Sequence, residues 1–207
     1  MINMINIKYK LYDHVSADGD ISEHLLYLER LSRDCNSILE CGVRSVVSSW
    51  AFLNGLVKNA TTTPKMLHSC DLDRSSNINE LEIACVENSV SFKFHKCSDL
   101  VLPYQKYDMI FIDTWHVYGH LKRELSKLHE MAAKYIVMHD TEIDGIHGET
   151  IRNGWNPHQQ SIDTGIPVDE IMKGLQPAID EFLAEHKEWK IKAHFTHNNG
   201  LTVLERI

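Results

Sequence analysis

The sequence predicts a doubly wound α/β protein whose mostly parallel, seven-stranded sheet closes with an antiparallel hairpin. Three observations carry that expectation. Short apolar runs alternate with segments of helical spacing along most of the chain, a pattern that calls for a parallel sheet covered on both faces by right-handed crossovers. Several runs end in a polar step, at Glu40, Asp71, Asp113 and His139-Asp140, where such sheets place their ligands. The last two alternating runs are separated by Asn198-Asn199-Gly200, a turn that folds one strand back on the other.

Taken in order, Asp20 followed by Ile21, Leu25, Leu28 and Leu31 predicts a capped amphipathic helix to about Asp34, with Glu23 placed for a capping box. Ser37 to Cys41 reads as a buried strand ending at Gly42, and Val46, Val47, Trp50, Ala51, Leu53 and Val57 repeat with helical spacing. A second strand, Lys65 to Cys70, ends in Asp71-Leu72-Asp73. Ser75-Ser76-Asn77 then caps a helix carrying Ile78, Leu81, Ala84 and Cys85. Val90 to His95 is the third strand and Tyr107 to Ile112, closed by Asp113, the fourth. Leu121, Leu125, Leu128 and Ala132 form a helix face, and Lys134 to Met138 is the fifth strand, closed by His139-Asp140. Residues 141–167 show little period and much Gly, Asn, His and Trp, so they are expected to form a long loop over a site. Pro177 fits the first turn of a helix with Ile179, Phe182 and Leu183, before the hairpin strands at Trp189 to Phe195 and Leu201 to Ile207.

Composition narrows the function classes. The chain has 207 residues, 43% hydrophobic and 24% charged, which suits one globular domain spanning 1–207 rather than a disordered or low-complexity segment. With 21 Lys+Arg against 29 Asp+Glu and no basic run, a nucleic-acid partner is not expected. No apolar stretch reaches the roughly 20 residues a bilayer span needs. The N-terminal MINMINIKYK alternates apolar and polar residues without the apolar core of a signal peptide, so the expected location is the cytoplasm. Five cysteines without a CxxC pair are expected as buried free thiols. Oligomeric state is left open.

The stretch ILECGVRS resembles the first motif of the class I methyltransferases that use S-adenosylmethionine (SAM), and the resemblance extends over nearly the whole chain. It implies that Glu40 and Gly42 border the methionine part of the cofactor, where only a small residue allows close approach. Many members carry a second Gly where this chain has Val46; an ordinary strand-to-helix turn is the other reading of Gly42. In HSCDLD, the resemblance makes Asp71 the acceptor for the two ribose hydroxyls, since a carboxylate can accept two bonds at once. A turn cap is the alternative. By the same resemblance, KCSDL implies Ser98 and Asp99 at the adenine, with Asp113 also at the cofactor.

YDMIFIDTWHVYGHLKREL followed by KYIVMHDT is similar to the metal-dependent sugar O-methyltransferase and cephalosporin-hydroxylase-like branch. That similarity implies a divalent ion, magnesium or manganese, on Asp113, His139 and Asp140, the histidine favouring the softer manganese. It also implies His116 as general base with Asp113 beside it, His120 being the substitute. The segments GLQPAIDEFLAEHKEW and HNNGLTVLERI resemble bacterial and large-virus members that decorate glycans, so a small molecule, a sugar or a glycan is the expected acceptor. Glu149, Arg152, Trp155, Asn156 and His158 suit sugar recognition, although Trp155 can equally fasten the loop to the body.

Two rival readings stand beside this one. Tyr118 and Lys122 match the YxxxK pair of NAD(P)-dependent short-chain dehydrogenases, but Gly42 to Val47 has one glycine where a pyrophosphate loop needs several. A methyltransferase-like binding domain without activity is the other, favoured by Val46. Zinc hydrolysis is disfavoured, since His129-Glu130 lacks a second His one turn on and His116/His120 lacks a third ligand nearby in sequence.

Overall fold

The computed structural model describes residues 4–207, and the first residues of the MINMINIKYK run lie outside them. The chain forms two compact units, one ending at Ile112 and the other Asp113–Ile207. Among the described residues no helix is long and apolar enough to cross a membrane.

The first unit holds four helices, α1 (Ile7–Val15), α2 (Leu25–Ser32), α3 (Ser48–Lys58) and α4 (Ile78–Glu87), and four strands, β1 (Ser37–Cys41), β2 (Lys65–Asp71), β3 (Val90–Lys96) and β4 (Tyr107–Ile112). Their order is β3-β2-β1-β4 and all pairings are parallel, with Ile38 aligned to Leu67 on one side and Met109 on the other. Burial on both faces explains why β1 is an unbroken apolar run apart from Glu40, with Ile38, Leu39 and Cys41 fully inaccessible. Helix α3 carries apolar residues all round and is almost wholly buried, since α1 and α2 cover it. The α2–α3 crossing is close enough to require glycine. A Cβ on Gly55 would meet Ser32 Cβ at 2.3 Å and the Glu29 carbonyl at 2.5 Å.

Three local expectations change here. Helix α1 was not expected from MINMINIKYK; Asn6 caps it by accepting from the Tyr9 amide at 2.9 Å, and Asn54 of α3 bonds the Ile7 carbonyl. Asp20 does not cap the next helix, because a short 3-10 turn, Ser22–His24, precedes α2 and the Asp20 carboxylate accepts from Arg44 instead. Asn77 occupies the N-cap of α4 without a side-chain bond to the helix.

The interior of this unit also contains a titratable strand residue. His68 of β2 is 7% exposed, its Nδ1 2.9 Å from the Tyr107 hydroxyl and its ring 5.5 Å from that of His95. Burial, then the charges of His95 and Lys93, push its pKa down to about 4. The unfolded chain therefore binds the proton first, so stability present above about pH 6.5 is lost as pH falls towards 4, by on the order of 3 kcal/mol. His68→Gln, which keeps a partner for Tyr107, is expected to lose correspondingly less stability than the parent between pH 7 and 4 in urea melts. Parallel losses in the two proteins would refute this.

The second unit contains α5 (Tyr118–Leu128), β5 (Ala132–His139), α6 (Gly148–Arg152), α7 (Pro157–Thr164), α8 (Val168–Ile171), α9 (Gln176–Glu185), β6 (Trp189–Phe195) and β7 (Leu201–Arg206). Strand β7 runs antiparallel between β5 and β6. The hairpin turn works as expected, with Asn198, Asn199 and Gly200 all at positive φ. Ala132 belongs to β5 rather than to the preceding helix face.

About half of the expected loop at 141–167 is helical. Asn156 accepts from the His158 and Gln159 amides to cap α7, Pro157 stands in its first turn, and Gly165 ends it at φ 74°. The apolar signal is weak because α7 buries no residue of its own. The following segment is fastened by Ile166 and Ile171, which close a small core with Val117 and Trp115. None of the five cysteines is in a disulfide; four are buried, as expected, and Cys97 is half-buried.

Candidate active site

In the first unit the strand-end residues surround the turn from β1 into α3. Gly42 takes φ 83° while its amide donates to the Cys70 carbonyl. Arg44 and Val46 also adopt positive φ, 42° and 67°. For a β-branched residue that conformation is rare and costs on the order of 1–2 kcal/mol. Val46 thus holds the backbone shape that a glycine would adopt without strain, so its departure from the expected motif lies in the side chain and not in the turn.

Asp71 at the end of β2 sustains this shape: its Oδ2 accepts from the Val43 amide at 2.9 Å and the Arg44 amide at 3.0 Å, and its Oδ1 from the Asp73 amide at 3.3 Å. The bond from Asp73 is a cap on the following turn, and the two shorter bonds secure the loop between β1 and α3. Glu40 is fully inaccessible, and its two oxygens accept from the hydroxyls of Ser48, Ser49 and Ser69 at 2.6, 2.6 and 3.0 Å, so it braces β1 against α3 and β2. Ser98 caps the short 3-10 turn Asp99–Val101 by accepting from the Leu100 amide, and Asp99 is buried beside it.

In the second unit the residues around His116 form a dense charged cluster. His116 Nε2 lies 3.2 Å from Asp113 Oδ1 and 3.3 Å from Asp140 Oδ2; its Nδ1 lies 3.4 Å from Asp144 Oδ2 and 3.7 Å from Glu149 Oε2. His139 Nδ1 is 3.5 Å from Asp113 Oδ1 and 3.3 Å from Asp140 Oδ2. Asp113 directly follows β4 in the chain, and Asp140, at the end of β5, takes φ 57°, a left-handed conformation that aspartate tolerates better than most residues.

Asp144, which no motif singles out, is fully buried and accepts from Nε and Nη2 of Arg152, each at 2.7 Å. The Glu149 amide donates to the His116 carbonyl at 2.8 Å, fixing α6 to the cluster.

Electrostatics corrects one expectation. Burial alone would favour neutral His116, but its hydrogen bond to Asp113 and the close carboxylates of Asp144 and Asp140 hold its pKa well above the ordinary imidazole range. For His139 burial is likewise outweighed by Asp113 and Asp140, and its pKa rises to about 10. Asp113 and Asp144 shift the other way: burial opposes their ionisation, but His116 and His139 outweigh it at Asp113, and Arg152 and His116 at Asp144. The carboxylates around it thus favour the protonated ring, where the sequence reading expects a base of ordinary pKa.

Metal-binding capacity is nonetheless present. Asp113, His139 and Asp140 each offer a ligand atom within 4.8 Å of the others, as do His116, Asp140 and Asp144. Asp140 Oδ1 is buried with no hydrogen-bond partner among the described residues, an acceptor aimed at nothing in the protein. Two carboxylates, one imidazole and an unused oxygen fit a hard or borderline divalent ion.

The residues suited to sugar recognition are mostly engaged internally. Glu149 and Arg152 serve the cluster and Asn156 caps α7, while Trp155 is 45% exposed. A cavity of about 280 Å³ lies beside them, lined by Ile143, Ile146, His147, Ile151 and Arg152 among others. His120, the substitute base, instead pairs with Glu124 at 3.6 Å. Tyr118 and Lys122 do meet, at 2.7 Å, but both bond the Glu181 carboxylate, which occupies the pair.

No protein-family model matches the sequence, and no curated protein matches it. Solved structures share its fold along the whole chain at low identity. An O-methyltransferase from Bacillus cereus in complex with SAH is 15% identical, with a TM-score of 0.60 over 100% of this chain and 93% of that one. The O-methyltransferase TomG from Streptomyces achromogenes, involved in tomaymycin synthesis and solved with SAM, is also 15% identical, at 0.60 over 100% and 92%. A SAH-bound methyltransferase from Podospora anserina is 14% identical, at 0.57 over 99% and 89%. This likeness bears out the expected fold: an α/β arrangement of seven strands, mostly parallel, with an antiparallel C-terminal hairpin.

Proposed function

We propose that this chain is a SAM-dependent O-methyltransferase acting on a hydroxyl of a small-molecule acceptor, assisted by a divalent metal. The observation that carries this reading is the turn from β1 into α3, held in a left-handed path by Gly42 and Val46 and secured by Asp71, in a fold whose similar structures were solved with SAM or SAH. When bound, SAM would supply an electrophilic methyl carbon for the acceptor oxygen. Gly42 keeps a side chain out of the methionine's path, Asp71 accepts from the ribose, and Ser98 and Asp99 hold the adenine. The backbone shape at Val46 supports this reading over that of a binding domain that has lost the loop.

Asp113, His139 and Asp140 are the residues that would hold the metal, with His139 shedding its proton to do so. When bound, a divalent cation would fix the acceptor oxygen and lower the pKa of its hydroxyl. His116 then takes the departing proton. Part of the negative charge that favours its protonated form sits on Asp113 and Asp140, the carboxylates that a cation would claim. A sugar or glycan hydroxyl is our proposed acceptor, supported by the resemblance of the C-terminal segments and by exposed Trp155, a stacking surface.

Calorimetric titration tests the cofactor assignment. The parent is expected to bind SAM and not NAD, and Asp71→Ala to bind SAM roughly 10- to 100-fold more weakly, corresponding to about 1.5–3 kcal/mol for bonds to a charged acceptor. Asp71→Asn, which retains an acceptor oxygen, is expected to lose less. Undiminished SAM affinity in Asp71→Ala, or binding of NAD in place of SAM, would overturn the assignment.

A further inference from the structure

Another set of ligating side chains lies in the second unit, built by segments that the proposed reaction does not use. His129 caps the end of α5, His186 ends α9, and Glu188 stands just before β6. Each is half-buried and offers a ligand atom within 4.8 Å of the other two. We propose that His129, His186 and Glu188 form a structural site for a transition-metal dication of zinc's class, tying the end of α5 to the turn between α9 and β6.

Two imidazoles and one carboxylate suit such a borderline ion and suit magnesium poorly. The orientation of His129 is an independent indication. Its Nδ1 lies 2.8 Å from the Leu125 carbonyl, which can only accept, so Nδ1 carries the proton and Nε2 keeps the lone pair. That is the outer hydrogen bond by which metal-binding histidines are commonly oriented. The surroundings hold both rings in place: the His129 and His186 centroids are 4.3 Å apart, His186 stacks on Phe182 at 4.6 Å, and Arg206 donates to the His129 carbonyl at 2.6 Å. His186 Nδ1 and Glu188 Oε1 are already 3.3 Å apart, a spacing close to that of two ligands on one ion. In sequence His129 lacks a nearby second histidine, because its partner arrives from the other end of the unit.

The test is a Zn²⁺ titration against a chromogenic chelator, with melting curves, in the double variant Asp113→Asn/Asp140→Asn. That background removes the ligands of the metal proposed for methyl transfer, so the two assignments fail separately. The double variant is expected to bind one equivalent of zinc and to melt at higher temperature with it. Adding His186→Gln or Glu188→Gln is expected to weaken binding at least about tenfold and to abolish the melting shift. If His186→Gln does not fold, Glu188→Gln decides alone by the same criteria. A double variant that binds no zinc, or a folded third substitution that leaves affinity unchanged, would overturn the proposal.

Discussion

His116→Ala is expected to slow methyl transfer by roughly 10²–10⁴-fold, the usual contribution of a positioned general base, while SAM affinity stays near the parent's. The sulfonium already makes the methyl electrophilic, so the difficult part is the weak nucleophilicity of a neutral hydroxyl whose proton must leave as the new bond forms. His116 is placed for that proton by four carboxylates, with Asp113 and Asp140 on one ring nitrogen and Asp144 and Glu149 on the other. The same carboxylates keep it protonated in the absence of a cation, so parent activity is expected to disappear in excess EDTA and return with manganese or magnesium. Single-turnover rates for the parent, His116→Ala and His120→Ala, each with and without metal, decide the matter. Near-parent transfer by His116→Ala would remove the role, and a loss confined to His120→Ala would reassign it. Full activity of the parent in EDTA would eliminate the metal.

Asp144→Ala is expected to be the most destabilising single change at the cluster, by about 3 kcal/mol, the lower end for removing one partner of a buried ion pair. Asp144 is fully buried and answers both the Arg152 guanidinium and His116. Its removal leaves an imidazolium without one counter-charge and a guanidinium without its bidentate acceptor. The Arg152 side chain is 37% exposed and can be rehydrated in part, which keeps the loss from being larger. In a protein of this size the change corresponds to a fall in melting temperature of roughly 6–12 °C. A double-mutant cycle with Arg152→Ala is expected to show coupling above 1 kcal/mol. A melting temperature within about 2 °C of the parent's would mean that Asp144 is not the keystone of this cluster.

Secondary structure was legible where its causes are local. Apolar runs bounded by carboxylates marked β1, β2, β4 and β5, and period marked α3, α4 and α9, because burial on both faces or along one stripe leaves a direct trace in residue order. The missed helices show the limit. Helix α1 buries only Leu11, and α7 buries no residue, so neither prints a strong apolar stripe; for α7 the caps Asn156-Pro157 and Gly165 were the available signal. Asp20 and Asn77 are good capping residues whose side chains do not cap, because which partner such a group finds depends on what folds beside it. For Asp20 that partner is Arg44.

By itself the sequence determined the α/β class, the strand-to-helix turn at Gly42 and the presence of acids at the strand ends, since these follow from period, glycine and the chemistry of a few positions. Tertiary structure alone decided what those acids do. It spends Glu40 on three serine hydroxyls, turns Asp71 onto backbone amides, and brings Asp144, Arg152 and Glu149 from beyond β5 to a histidine that precedes α5. The charge state of His116 could not be read earlier. A pKa is set by the sum of burial and neighbouring charges in space, and those neighbours are scattered along the chain until the fold gathers them.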